Sequence, residues 1–393
     1  MLNAPSALTI DTAQCVTCNR SHNLSALSET CTCSAKSNLS VQYPLTPAVS
    51  KKLLQSTQLQ EQTLWRYAPL LPVDPQFASH LQIGWTPLIK ATPVNGVHLY
   101  FKDETRNPSG SMKDRASEIV VSVAKANSIN HVVMASTGNA AASLACIGAA
   151  AKIGVTVLVP HTAPGAKLAQ IKAYGARVFR VVGRYDDAIK MALRVTQETG
   201  HLNRTTGRNP FTREGKKTAA FEIAEQLGWV APDWVIVPTG DGNMISAIFK
   251  GFKELFTLGI INKIPQLIAA QSEASCVIST AFKDTIGGPN PDAKTTLADS
   301  ITVDEPLDLD AAQQALVESM GLAVTLSDHE IICAVSEQAA NYGIFTEPSS
   351  ATSFAAFSKL QALGKFQEGE SIVCLATGTG LKDLRPVLQN EPP

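Results

Sequence analysis

Short apolar runs alternate with longer stretches of helical periodicity along this chain. The runs are bounded by glycine or proline and lie at 155–159, 178–182, 235–237 and 372–375. Strands of a parallel sheet read as continuous apolar runs, because helices bury both of their faces. The alternation therefore predicts an α/β protein with parallel sheets, and residues 44–77 read as a helical lead-in.

The composition is that of a protein with a large core and almost no net charge. The chain has 393 residues, 45% of them hydrophobic, and its net charge at pH 7 is -1. This length and hydrophobic fraction can bury the cores of two lobes. The near-zero net charge and the lack of a basic cluster argue against a nucleic-acid partner. The chain also has no apolar run of the about 18 residues needed to span a membrane.

The N-terminal segment and the cysteines indicate a cellular compartment. Residues 1–40 lack the charged start and the apolar stretch of a signal peptide. Cys146, Cys276, Cys333 and Cys374 stand in apolar surroundings, which is typical of reduced core thiols. We therefore expect a cytoplasmic protein.

One lysine stands where covalent chemistry is favoured. Lys113 follows the polar turn at 107–112 and begins an apolar helix. An amine forms a Schiff base with a carbonyl cofactor only when it is partly neutral, and a helix N-terminus with partial burial lowers the pKa of an ammonium group. Lys113 is therefore the candidate cofactor anchor. The alternative is a solvated lysine in a helix-capping turn.

Three further segments place glycine or polar residues directly after an apolar run. They are Ser136, Thr137, Gly138, Asn139 and Ala140; then Gly240, Asp241, Gly242 and Asn243; and last Thr377 with Gly378. Main-chain amides at the start of a helix bind carboxylates and phosphates. The loop at 240–243 is neither a P-loop nor a dinucleotide fingerprint, because it lacks the Gly-Lys-Thr ending and a third glycine. Each loop alone could be an ordinary strand-to-helix connection.

Together, these segments resemble one family, the pyridoxal-phosphate (PLP) enzymes of fold type II, which are the tryptophan synthase β type. The resemblance is to the threonine synthase branch. The similar stretches are Asn-Pro-Ser-Gly-Ser-Met-Lys-Asp-Arg at 107–115, Ser-Thr-Gly-Asn at 136–139, Gly-Asp-Gly-Asn at 240–243 and Thr-Gly-Thr-Gly-Leu-Lys-Asp at 377–383. Four such motifs in the family's order are far more specific than any one of them.

The resemblance implies a PLP enzyme and gives each motif a role. Lys113 would hold the cofactor and remove the α-proton of the substrate. Asn139 would lie near the ring hydroxyl and Thr377 near the ring nitrogen, while Gly240, Asp241, Gly242 and Asn243 would hold the phosphate. Ser136, Thr137, Gly138, Asn139 and Ala140 would surround the carboxylate of a small amino-acid substrate. Glu347 matches a cofactor-lining segment, or else is an acid in the first turn of a helix.

The departures from the family pattern concern the substrate. Threonine synthases commonly carry a threonine at the position of Ala140, which helps to bind the phosphate of O-phosphohomoserine. Gly207 stands where the family has a serine, and Thr212 stands for an arginine, with Arg213 one residue later. Each lost charge-assisted donor costs about 1.5–3 kcal/mol of affinity. Arg208 or Arg213 would have to compensate for these losses.

The resulting expectation is a threonine synthase-like, PLP-dependent carbon–oxygen lyase. It would abstract the α-proton of a small amino acid and eliminate or replace a β or γ leaving group, the nearest named reaction being O-phosphohomoserine to threonine and phosphate. A threonine or serine dehydratase, or a β-replacement enzyme, is the alternative that the missing phosphate ligands favour. A third hypothesis is a non-catalytic binding module. The intact motifs argue against it.

The N-terminus carries two close pairs of cysteines. Cys15 with Cys18, and Cys31 with Cys33, can furnish a tetrahedral thiolate site for zinc. The second pair is Cys-x-Cys rather than Cys-x-x-Cys, and His22 is a substitute ligand. Some threonine synthase relatives have a similar zinc ribbon. The alternatives to structural zinc are reduced thiols without metal and a degenerate ribbon.

The predicted architecture is a two-lobed α/β fold of type II with parallel-sheet cores and a small zinc-ribbon-like module. The module spans 1–43, the large lobe spans 44–105 and 204–393, and the small lobe spans 106–203. The resemblance implies that the cofactor lies between the lobes. We also expect a homodimer.

Overall fold

The structure is a computed structural model that describes residues 8–33, 37–163, 165–183 and 185–388. The chain divides into two compact units, one of residues 1–84 with 113–218 and one of residues 85–112 with 219–393. Residues 44–84, predicted as part of the large lobe, group with the first unit. Residues 1–7 and 34–36 of the predicted N-terminal module lie outside the described residues.

The strands of the described residues are, in chain order, β1 Thr12–Cys15, β2 Ser21–Asn23, β3 Leu39–Val41, β4 Leu88–Lys90, β5 His98–Asp103, β6 His131–Ala135, β7 Gly154–Pro160, β8 Arg177–Val181, β9 Leu202–Asn203, β10 Trp234–Pro238, β11 Gln266–Ser272, β12 Thr285–Ile286, β13 Leu322–Leu326 and β14 Ser371–Ala376.

The α-helices of the same residues are α1 Pro47–Ser56, α2 Lys113–Ala126, α3 Asn139–Ala151, α4 Gly165–Ala173, α5 Tyr185–Thr199, α6 Phe211–Lys216, α7 Thr218–Gln226, α8 Asn243–Thr257, α9 Val277–Thr280, α10 Leu309–Glu318, α11 Asp328–Tyr342, α12 Pro348–Ala362 and α13 Arg385–Leu388. Short 3₁₀ turns add to these, and two of them, Leu64–Leu70 and Pro75–Phe77, follow α1 in the predicted helical lead-in. No helix of the described part of the chain is long and apolar enough to cross a membrane.

The first unit is built around a four-stranded parallel sheet in the order β8-β7-β6-β9. Val132 and Met134 of β6 join the core that α2 and α3 contribute to, while Val133 and Ala135 join a smaller core with α5. Helices therefore cover both faces of β6, which is why its sequence is apolar throughout. A separate antiparallel sheet, in the order β2-β1-β3, forms from the N-terminal residues.

The apolar run at 178–182 forms β8 but is not buried as the pattern suggested. Phe179 is 55% exposed and Val182 is 88% exposed. The strand pairs only with β7 and so stands at the edge of its sheet, where one side has no neighbouring strand.

The second unit is built around a seven-stranded sheet in the order β12-β13-β11-β10-β14-β5-β4. Every pair is parallel except β4 with β5. Because β5, β14 and β10 are neighbours and parallel, their carboxyl ends share one edge of the sheet. At that edge β5 leads towards the lysine turn, β14 ends before Thr377, and β10 leads to the loop at 240–243. Ligands of open α/β sheets bind at such an edge.

The cysteine prediction was correct for three of the four core thiols. Cys146, Cys276 and Cys374 are buried, whereas Cys333 is only partly buried. Cys333 lies on α11, whose apolar stripe of Ile331, Ala334 and Val335 takes the core-facing positions. No disulfide joins any of the eight cysteines, all of which are described.

Candidate active site

The turn that leads to Lys113 is shaped by buried polar groups of the second unit. After β5, the side chain of Asn107 donates to Glu104 twice, to the carbonyl oxygen at 3.0 Å and to Oε2 at 2.9 Å. Thr86 Oγ1 donates to Glu104 Oε1 at 2.7 Å, and Glu104 is fully buried. Gly110 N then donates to the Asn107 carbonyl oxygen at 2.7 Å. This turn is therefore held in shape by hydrogen bonds of the chain itself.

Residues 110–112 pair through their main chain with the glycine-rich segment that follows β14. Met112 N donates to the Thr377 carbonyl oxygen at 2.9 Å, and Thr379 N donates to the Gly110 carbonyl oxygen at 3.0 Å. Ser111 and Gly378 form the bridge between these two bonds. Lys113 is the next residue after Met112 and the first of α2. The pairing thus brings the segment before Lys113 to Thr377, two motifs that are remote in sequence.

Gly110 cannot be replaced without strain in this pairing. Its φ is +80°, a conformation that L side chains rarely adopt, and a Cβ atom there would lie 2.9 Å from Thr379 Cγ2. Both the backbone conformation and the packing at position 110 therefore require glycine.

Thr377 stands at the end of β14 in a buried, hydroxyl-rich position. It is 8% exposed, and its main-chain N–H donates to Ser350 Oγ at 2.7 Å. Glu347, at the N-cap of α12, donates its N–H to the Gly378 carbonyl oxygen at 3.1 Å. Glu347 therefore lies beside the C-terminal motif, and the residue is only 6% exposed. Ser350 was not singled out from sequence, although it falls in the segment that contains Glu347.

The loop of residues 136–140 lies in the first unit, at the carboxyl end of β6 and the start of α3. All five residues are partly exposed. Gly138 is the N-cap of α3, no side chain caps the helix, and Gly138 N donates to Ser136 Oγ at 3.2 Å. A Cβ atom at Gly138 would meet nothing within 4 Å. An open helix N-terminus of this kind suits a carboxylate.

The loop at 240–243 lies in the second unit, between β10 and α8. Gly242 has φ +86°, and a Cβ atom there would lie 2.6 Å from the Asp308 carbonyl oxygen. Asn243 Nδ2 donates to Asp308 Oδ2 at 2.5 Å, and Asn243 N donates to Asp241 Oδ1 at 3.1 Å. The side chains of Asp241 and Asn243 thus shape the loop itself. What the loop can offer a phosphate is its main-chain amides at the N-terminus of α8.

Residues 80–378, about three quarters of the chain, match the family described as pyridoxal-phosphate dependent enzyme. The chain belongs to this family. It is 38% identical to the threonine synthase of Methanocaldococcus jannaschii, in an alignment that covers 94% of this chain and 92% of that protein. It is 36% identical to the threonine synthase of Mycobacterium tuberculosis strain H37Rv, covering 83% and 90% of the two chains.

Solved structures of the PLP family share the fold. Threonine deaminase isoform 2 from Solanum lycopersicum superposes with a TM-score of 0.64 at 21% identity, covering 77% of this chain and 86% of that one. Maize serine racemase superposes with a TM-score of 0.63 at 23% identity, covering 77% and 90%. The predicted type II α/β fold with parallel-sheet cores is confirmed. The chain is a PLP-dependent lyase similar to threonine synthases.

The donors described above fit PLP, the cofactor of this family. Their kinds of chemical group, an amine, a hydroxyl and main-chain amides, are those that can bind an aldehyde, a ring nitrogen and a phosphate. Ser111 Oγ, two residues before Lys113, is buried and has no hydrogen-bond partner among the described residues. A polar atom left in this way next to the lysine is what a missing ligand would satisfy.

The positions of the family's phosphate ligands lie in the first unit. Gly207 has φ +79° and is followed by the partly exposed Arg208. Thr212 is buried, and its Oγ1 donates to the Asn209 carbonyl oxygen at 2.8 Å. Arg213 is 2% exposed. Thr212 therefore already uses its hydroxyl within the chain, and the cations between residues 207 and 213 are Arg208 and Arg213.

The four N-terminal cysteines meet at one point. The sulfur atoms of Cys15, Cys18, Cys31 and Cys33 all lie within 4.8 Å of one another. Cys15 and Cys33 are 3.8 Å apart, and Cys18 and Cys31 are 3.7 Å apart. Four sulfurs bound to zinc at about 2.3 Å would be separated by about 3.8 Å, the edge of the tetrahedron.

His22 lies beside this cluster, with Nε2 3.2 Å from Cys31 Sγ. The four sulfurs complete a ligand set without it, so the substitute role considered for His22 is not needed. Burial raises the pKa of the Cys15 thiol to about 12. A bound divalent cation would oppose this effect, because it favours the thiolate.

Proposed function

We propose that this PLP enzyme converts O-phosphohomoserine to threonine and phosphate. The likeness to threonine synthases over 94% of the chain carries the proposal. When bound, PLP supplies the electron sink that makes the α-proton of an amino acid acidic. The remaining work of binding, orientation and proton transfer falls to the chain's own residues.

In this proposal, Lys113 holds the cofactor and later takes the α-proton on its amine. The pairing of residues 110–112 with 377–379 supports this role, because Lys113 is the next residue after Met112. Thr377 offers a neutral hydroxyl to the ring nitrogen. A hydroxyl does not stabilise a protonated ring as a carboxylate would, so loss of a leaving group is favoured over transamination.

One loop binds the phosphate of the cofactor, and the other binds the carboxylate of the substrate. The amides of Gly240, Asp241, Gly242 and Asn243 hold the cofactor phosphate at the start of α8. Ser136, Thr137, Gly138, Asn139 and Ala140 surround the substrate carboxylate at the start of α3, with Asn139 also reaching the ring hydroxyl. The open space at Gly138 supports this role, since a ligand can approach its main chain closely.

The identity of the substrate is the part of the proposal that most needs an experiment. Ala140 and Gly207 have no side-chain donor, and Thr212 donates to Asn209. These observations favour a second candidate, a dehydratase or β-replacement enzyme for threonine, serine or O-phosphoserine. If O-phosphohomoserine is the substrate, Arg208 or Arg213 has to compensate for the missing phosphate donors.

The deciding experiment follows phosphate release and threonine formation from O-phosphohomoserine, with threonine, serine and O-phosphoserine in parallel. Threonine formed in step with phosphate would support the first candidate. Keto-acid release or β-replacement from another substrate, with no threonine formed, would support the second. Lys113→Ala is the control, because the proposal requires that it forms neither threonine nor keto acid.

We further propose that the N-terminal module of residues 1–43 holds one structural zinc ion through Cys15, Cys18, Cys31 and Cys33. The sulfur separations support it, since they match a tetrahedral set. Metal analysis of the purified protein should find about one zinc per chain, and Cys15→Ser should lower it, while Cys333→Ser should not. Protein without zinc after purification in zinc-containing medium would end the proposal. The lobe boundaries, a homodimer and a cytoplasmic location remain predictions.

A further inference from the structure

The N-terminal cysteine module touches the sheet that carries the substrate loop. Glu29 lies between the two cysteine pairs, and its Oε1 accepts a hydrogen bond from Asn203 Nδ2 at 3.1 Å. Asn203 is the last residue of β9, which pairs with β6, the strand that ends at the loop of residues 136–140. The module therefore contacts the catalytic sheet close to its functional edge, within the first unit.

Asn203 holds together the turn that follows β9. Its Oδ1 accepts from Thr205 N at 2.8 Å, and its carbonyl oxygen accepts from Asn209 Nδ2 at 2.7 Å. Asn209 Oδ1 in turn accepts from Phe211 N at 2.9 Å, the first residue of α6. Asn203 is 4% exposed and Asn209 is 1% exposed. One buried amide thus links Glu29 to the shape of residues 203–211.

Helix α6 packs against α2, the helix that begins with Lys113. A Cβ atom at Gly215 would lie 1.9 Å from the Arg115 carbonyl oxygen, so the two backbones are in direct contact. Arg115 Nη1 also donates to Thr218 Oγ1 at 2.9 Å. The first turn of α2 is therefore a close neighbour against which α6 packs.

A second contact joins the end of the module to the same segment. The Lys217 ammonium lies 3.8 Å from the centroid of the Tyr43 ring and 2.7 Å from Glu214 Oε2. Lys217 and Glu214 are both fully buried. The module is thus fastened next to each end of α6, through Glu29 and through Tyr43.

We propose that Glu29 is a positioning residue, through which the cysteine module sets the turn at 203–209 and the substrate-binding side of the site. The inference rests on the proposed function, because turnover supplies one of its readouts. Glu29 does not touch the reacting atoms in this proposal. It acts through Asn203, so its loss should change substrate binding more than the chemical step.

The test compares Glu29→Ala with Glu29→Gln. Glutamine keeps an oxygen that accepts from Asn203, and alanine does not. In Glu29→Ala, KM for O-phosphohomoserine should rise roughly five- to tenfold with little change in kcat, whereas Glu29→Gln should stay near the parent. The visible absorbance of the cofactor should be the same in all three proteins. Equal effects of the two substitutions, or an unchanged KM in Glu29→Ala, would overturn the proposal.

Hydrogen exchange of the amides supplies a readout that does not depend on turnover. Thr205 N and Phe211 N should exchange faster in Glu29→Ala than in Glu29→Gln, while amides of β10 should not change. A double-mutant cycle with Asn203→Ala should show that the second substitution adds little to the first. Inactive parent protein with the expected exchange pattern would reject the substrate but keep the positioning role. Active protein with unchanged exchange would reject the positioning role alone.

Discussion

The lysine turn and the substrate loop differ in how the chain holds them. Residues 110–112 are joined to 377–379 by main-chain hydrogen bonds, and Gly110 packs against Thr379. Residues 136–140 are partly exposed, and Gly138 has open space where a side chain would be. The turn that would keep one cofactor through many cycles is fixed by the fold. The loop that would take and release a substrate in each cycle is left accessible.

The largest effect should come from removing the amine that the fixed turn presents. Lys113→Ala should lower turnover by at least about 10³-fold, because the group that moves the proton is lost. The visible absorbance of the lysine-bound cofactor should disappear as well. Lys125→Ala, at the other end of α2, is the matched control and should keep both. An absorbance spectrum and a turnover assay on the two variants decide the matter, and retained turnover in Lys113→Ala would refute the role.

A pair of glycine substitutions tests the comparison directly. Gly110→Ala should lower the free energy of unfolding by roughly 1–3 kcal/mol, since it combines a positive φ with a close contact to Thr379. Gly138→Ala should change it by less than about 0.5 kcal/mol, yet weaken substrate binding by filling the open space. Denaturant unfolding and KM measurements give both values. Equal losses of stability in the two variants would contradict the comparison, because they would mean that the lysine turn and the loop of residues 136–140 are equally constrained.

The hydroxyl next to the lysine turn should matter less than the amine. Thr377→Ala should lower turnover about tenfold by removing one hydrogen-bonding group, with stability close to the parent. Thr377→Ser keeps the hydroxyl and should retain most of the activity. If both variants turn over substrate as the parent does, Thr377 has no part in the reaction.

The smallest effect is on stability, and it comes from a carboxyl group farther along α2. Glu118 is fully buried, and it accepts hydrogen bonds from Trp65 Nε1 at 2.9 Å and Ser79 Oγ at 2.7 Å. Burial raises the pKa of this carboxyl above its usual range. The folded state then keeps its proton to higher pH than the unfolded state does, so ionisation of Glu118 lowers stability.

The free energy of unfolding should therefore fall as the pH rises from the unfolded value of about 4.3 through the raised pKa. Glu118→Gln should flatten this fall, because glutamine has no proton to lose. Denaturant midpoints between about pH 4 and pH 8 measure the difference. A parent and a variant with parallel pH profiles would show that Glu118 does not titrate in that range.

The sequence predicted what depends on local pattern. The apolar runs at 155–159, 235–237 and 372–375 are strands in the structure, and the motifs follow strand ends as expected. The exposure of β8 was missed, because an apolar run does not reveal whether its strand lies at the edge of a sheet. The exposure of a strand's side chains depends on which strands lie beside it in the sheet, and an apolar run does not reveal these neighbours.

The contacts that hold the site were beyond the sequence patterns. The pairing of 110–112 with 377–379 joins segments far apart in the chain, and neither carries a signal that names the other. The bond from Asn203 to Glu29 is of the same kind. The hydroxyl of Ser350, which receives the Thr377 N–H, lies in an ordinary first turn of α12. The family resemblance predicted the chemical groups of the site. The structure shows which contacts hold the main chain of the segments that carry them.

The main-chain pairing of 110–112 with 377–379 also has a consequence for biosynthesis. A ribosome adds residue 113 long before it adds residue 377, so the lysine turn has no partner strand during most of translation. A nascent chain that ends before residue 377 cannot form this pairing, so we expect stable capture of PLP only after that segment has been made. Truncation before Thr377 should accordingly leave a chain that carries the lysine yet lacks the pairing that presents it.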